Sequence, residues 1–126
     1  MTVRRLRQVL IAAQDVDAAL ASYQANLGLQ VMGCTEGEEG HIGVGGTTLV
    51  LLRPDLAARR LPGVEVGEGL LALCLEVDDL DGLVARLRGA GVQVAGPGPG
   101  PEEGTRAALV TGEHTGGAPL LLVQGP

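Results

Sequence analysis

The stretch Gln8–Leu29, QVLIAAQDVDAALASYQANLGL, decides how the rest of the chain is read. Its front belongs to an apolar run, Leu6 to Ala13, rich in Val, Ile and Leu, which predicts a strand. Asp15 stands where a helix N-cap belongs, because a carboxylate there accepts a bond from an otherwise unpartnered N–H of the first turn. Behind it Val16, Ala19, Leu20, Tyr23 and Leu27 recur at helical spacing and predict an amphipathic helix. Gly28 follows the last helical residue, where a left-handed backbone ends a helix with least strain.

Downstream, Leu29-Gln30-Val31-Met32-Gly33-Cys34 resumes an extended pattern, and the glycine-bearing Glu36-Gly37-Glu38-Glu39-Gly40 reads as a turn. His41 to Val44 reads as a short strand, Gly45-Gly46 as a hairpin turn and Thr47 to Arg53 as another strand. The first half, about residues 4–54, is therefore βαβββ. Residues 55–68, following Pro54 and containing Asp55, Pro62 and Gly63, form a connection with room for a helical turn at Leu56 to Arg60. The pattern then starts again over about 69–125. An apolar strand runs from Leu70 to Val77, Asp79 caps a helix carrying Leu80, Leu83, Val84 and Leu87, and Gly91 closes it. Ala13-Gln14-Asp15-Val16-Asp17 matches Val77-Asp78-Asp79-Leu80-Asp81 at an offset of 64, and Leu29-Gln30-Val31 matches Val92-Gln93-Val94 at 63, as an internal duplication would. The tract Gly96-Pro97-Gly98-Pro99-Gly100-Pro101 lacks the helix and the Lys-Ser/Thr pair of a phosphate loop and is expected to be a surface loop. Strands at about Thr105 to Thr111 and Leu120 to Gln124 complete the second half.

A chain of 126 residues, 45% of them hydrophobic, has room for one domain and one core. Tyr23 is the only aromatic residue, so that core is filled with aliphatic side chains. Fifteen acidic residues oppose nine basic ones, all arginine, and the net charge of -6 disfavours nucleic acid as a partner. No run approaches the roughly 20 apolar residues of a membrane span, and the Met1-Thr2-Val3-Arg4-Arg5 start does not lead into a signal-peptide core, so a cytoplasmic protein without membrane partners is expected. Cys34 and Cys74 lack C-x-x-C spacing and are expected to be buried, reduced thiols.

Two βαβββ halves, the first carrying Asp-Val-Asp-Ala-Ala-Leu-Ala-Ser-Tyr-Gln-Ala-Asn-Leu-Gly-Leu from Asp15 to Leu29, resemble the vicinal-oxygen-chelate superfamily of glyoxalases, bleomycin-resistance proteins and dioxygenases. The resemblance covers nearly the whole chain and implies an α+β fold. In it the two modules form a curved eight-stranded mixed sheet with helices on the convex face and a concave ligand cleft, often completed by a homodimer. It says little about reaction, because one fold hosts many chemistries.

The same resemblance implies metal ligands on the first and last strand of each module. Those positions hold Gln8, Val50, Ala72 and Leu121, and a lone amide oxygen cannot hold a transition metal without imidazole, thiolate or carboxylate partners. Shifting the register by one residue brings in only further leucines, so neither a metal nor another cofactor is expected. Strand alternation assigns the cleft lining to Gln8, Leu10, His41, Thr48, Val50, Ala72, Cys74, Glu76, Leu121 and Val123, with Ala12 and Leu52 in the same phase. His114, in the closing hairpin Gly112 to Gly117, reads as an exposed loop residue, Cys74 as inert packing and Glu76 as a rim carboxylate able to favour a cationic ligand.

The function expected from these residues is metal-free sequestration of a small organic molecule in an apolar dimer cleft. The absence of Trp and Phe argues against flat heteroaromatic drugs such as bleomycin. The alternative is a divergent enzyme, of lyase or isomerase type, using His41, Cys74 or Glu76 as acid or base. A third reading is a scaffold whose cleft is filled by its own leucines and valines.

Overall fold

In the computed structural model, which describes residues 3–61, 64, 66–111 and 118–125, the chain runs β1 (Val3–Ala12), α1 (Val16–Leu27), β2 (Gln30–Thr35), β3 (Glu39–Val44), β4 (Thr47–Leu52), α2 (Pro54–Arg60), β5 (Gly69–Val77), α3 (Leu80–Gly89), β6 (Val94–Pro99), β7 (Arg106–Val110) and β8 (Leu120–Gln124). The strands form one mixed sheet in the order β2-β3-β4-β1-β5-β8-β7-β6, the α+β class that the resemblance implies. Two compact units make up the chain, one of residues Gln8–Leu71 and the other of Met1–Arg7 with Ala72–Pro126. β1 and β5 each contribute residues to both.

In the Gln8–Leu71 unit, Asp15 accepts a bond from Ala18 N–H at 3.0 Å, and Gly28 closes α1 at φ 66° with its N–H returned to the last turn. α1 covers one sheet face because Val16 and Leu20 pack with Ala13, Ile42 and Leu51, supported by Ile11, Val31 and Leu49. Strand alternation sends the intervening residues to the opposite face. β4 pairs parallel with β1 and antiparallel with β3, and β3 pairs antiparallel with β2. Two boundaries differ from the sequence reading. β3 begins at Glu39 inside the expected turn, because Glu39 and Gly40 pair with Leu52 and Leu51. α2 begins at Pro54, whose fixed φ and missing N–H suit the first helical position.

The second unit repeats this grammar. Asp79 accepts from Gly82 N–H at 3.1 Å, the Gln124 side-chain oxygen accepts from Leu80 N–H at 2.7 Å, and Gly91 turns at φ 85° beyond α3. Leu80 and Val84 of α3 pack on Val77, Ala108, Val110 and Leu122, and β8 lies parallel to β5 and antiparallel to β7.

The surface loop expected at Gly96 to Pro101 is a correction, since residues through Pro99 lie in β6. Gly98 and Pro99 pair with Ala107 and Arg106 across an irregularity after Ala95. Proline is tolerated because β6 is an edge strand, where a missing N–H need not break a ladder. Gly96 sits at φ 101°, which L side chains rarely adopt, and a Cβ there would crowd the Ala107 carbonyl at 3.1 Å. Arg88 of α3 donates to the Val94 and Gly96 carbonyls at 2.9 and 2.6 Å and ties the strand to the helix. The hairpin Gly112 to Gly117, with His114, lies outside the described residues.

Candidate functional site

The candidate lining residues of the first unit come together on the sheet face away from α1. Gln8 is paired with Thr48 and Leu10 with Val50 across β1 and β4, and His41 of β3 is opposite Val50. Leu10, Ala12, Val50 and Leu52 are buried, whereas Gln8, His41 and Thr48 are partly exposed. In the second unit Cys74 is paired with Leu121 and Glu76 with Val123, on the face away from α3. Ala72, Cys74, Leu121 and Val123 are buried there as well.

The thiols part company. Cys74 is fully buried, and desolvation pushes its thiol from the usual value near 9.0 up to about 11, against the opposing pull of the Arg7 charge. The expectation that Cys34 is buried is corrected, since it stands exposed on β2, an edge strand. Glu76, read from sequence as a rim carboxylate able to favour a cationic ligand, has Arg5 at 3.2 Å and Arg7 at 3.6 Å. Arg7 also bonds Glu102 at 2.8 Å. Its charge is thus compensated and gives little basis for selecting a cation.

The open ground lies beside His41, in a depression of about 440 Å³ lined by Met32, Gly33, Cys34, Thr35, Glu39, His41 and Thr48. Here Glu39 accepts from His41 Nε2 at 2.7 Å and from both terminal nitrogens of Arg60 at 2.8 and 2.9 Å. The Arg60 bonds, with His41 adding to them, hold the Glu39 carboxyl below the usual carboxylate range despite its partial burial. Glu39 and Arg60 were not candidates from sequence. Placing Glu39 on the strand puts it two residues from His41 and on the same face, but Arg60 is 21 positions away and carries no local signal.

The metal implied by the fold family does not fit these residues. Val50, Ala72 and Leu121 end in hydrocarbon, and among the described residues no three His, Cys, Asp or Glu side chains gather to hold an ion. The open depression offers the His41 imidazole, the Cys34 thiol and the Glu39 carboxylate already saturated by Arg60, and these do not gather into a metal-holding group.

No curated protein matches the sequence. Among solved structures, an uncharacterised protein of Bacillus halodurans matches with 18% identity and a TM-score of 0.76, over 97% of this chain and 94% of that one. A variant of Streptomyces coelicolor methylmalonyl-CoA epimerase, in complex with 2-nitronate-propionyl-CoA, matches with 24% identity and a TM-score of 0.73, over 98% of this chain and 96% of that one. The Mycobacterium tuberculosis methylmalonyl-CoA epimerase matches with 24% identity and a TM-score of 0.73, over 98% and 89%. Identities this low carry the fold and not the reaction. The sequence model of one family matches residues 5–116, and on that span, with the fold in agreement, the chain belongs to the Glyoxalase/Bleomycin resistance protein/Dioxygenase superfamily.

Proposed function

We propose that this chain is a metal-independent small-molecule-binding protein of the superfamily, acting in the cytoplasm as a homodimer and needing no cofactor. The observation that carries the reading is the chemistry of Val50, Ala72 and Leu121, which leaves three of the family's four ligand positions without donor atoms and the Gln8 amide oxygen without a partner ligand. Their burial makes the apolar residues a packed floor. The ligand is met at the partly exposed polar residues Gln8, His41 and Thr48 and in the depression beside them.

The test is elemental analysis of untagged protein with its native mass, followed by a thermal-shift screen of small organic molecules. Dimeric, metal-free protein that is stabilised by one class of molecule and returns it unchanged supports the proposal. Stoichiometric metal sinks it. A second reading, a lyase or isomerase without metal, draws on the 2.7 Å His41–Glu39 contact, the geometry of an oriented acid–base residue. Turnover in the presence of chelator, lost in His41→Ala, would select that reading.

A further inference from the structure

The bonds around Glu39 determine how His41 meets a ligand. A carboxylate has no hydrogen to give, and Glu39 is kept ionised by Arg60, so the 2.7 Å contact requires the imidazole to donate from Nε2. The neutral ring then carries its lone pair on Nδ1, for which no hydrogen-bond partner exists among the described residues. The ring is about one-third exposed and borders the open depression. Met32, 69% exposed, supplies an apolar neighbour there, and its sulfur lies close over Gly43, the residue paired with Thr48. Among the described residues the one charged lining residue is Glu39, matched by Arg60, so the surroundings favour a neutral ligand over an ionic one.

We infer that Glu39, braced by Arg60, fixes His41 so that Nδ1 accepts a hydrogen bond from the hydroxyl group of a small, largely apolar ligand seated in this depression. The inference rests on the proposed small-molecule-binding function and names the ligand class and the residue that selects it. Glu39 and Arg60 are positioning residues, because they act through the tautomer and orientation of the imidazole.

The experiment compares cyclohexanol with methoxycyclohexane, which has a similar body but no hydroxyl hydrogen. Each is titrated into ¹⁵N-labelled full-length protein at about pH 9. His41→Ala assigns the ring signals. The expected result is a His41 ring protonated at Nε2 only, with cyclohexanol binding about fivefold more tightly than the ether and moving the His41 and Met32 signals. In His41→Ala the two probes bind equally. In Glu39→Gln, whose amide both donates and accepts, the ring shows mixed tautomers and the preference shrinks.

Equal binding of the two probes to the unaltered protein, or a preference that survives His41→Ala, overturns the inference. So does a silent His41 ring. Capture of some other organic molecule away from His41 overturns it too, yet leaves the proposed function standing, whereas a chain that binds no organic molecule loses both.

Discussion

Cys74 and Cys34 show how position within one sheet sets the chemistry of a side chain. Cys34, exposed on an edge strand, should react with a thiol reagent in the native protein at pH 8, while Cys74 should react only after denaturation. Mass spectrometry would show one adduct before unfolding and two after; two adducts on native protein would contradict the burial. The raised Cys74 value also makes stability depend on pH. The folded protein keeps the thiol proton where the unfolded chain has lost it, so this contribution is complete below about pH 9 and disappears as pH rises through about 11. At 1.36 kcal/mol for each pH unit the loss is about 3 kcal/mol, and Cys74→Ala should not show it in urea unfolding followed across that range. Glu39 belongs to the same scale: its acidity and its grip on His41 follow from Arg60, which no local pattern in the sequence connects to it.

The two helices that begin on aspartate are where sequence and structure agree most closely. Asp15 and Asp79 make the same cap with bonds of 3.0 and 3.1 Å, so Asp15→Ala and Asp79→Ala should each cost about 1 kcal/mol in chemical denaturation. The Asp79 change should be the milder of the two, since the Gln124 side chain still satisfies Leu80 N–H. These caps were legible because capping is a contact between residues three apart. The strand faces were legible for a related reason, since successive side chains along any strand point to opposite faces. β6 was hidden because Gly and Pro disfavour strand locally, and only pairing with β7 and the Arg88 clamp outweigh that preference.

For the molecule as a whole, the proposed metal-independent function rests on Val50, Ala72 and Leu121, whose side chains carry no atom able to bind a metal. Added Ni²⁺, Co²⁺ or Zn²⁺ should therefore leave the melting temperature unmoved, whereas occupancy of a site at 100 times its dissociation constant would add about 2.7 kcal/mol and several degrees. Val50→Glu carries the complementary test. Val50 is buried, so a carboxylate there should cost several kcal/mol, measured by urea unfolding, and a value under 1 kcal/mol would mean the wall is open to water. By itself the sequence determined the βαβββ repeat, the caps and the alternating faces, because each is a matter of residue identity or of spacing within a few residues. Tertiary structure alone decided that Cys34 is exposed, that a glycine–proline tract is a strand, and that Glu39, His41 and Arg60 meet. Those outcomes depend on which distant segments pack or hydrogen-bond together, and long-range partners leave no periodic trace along the chain.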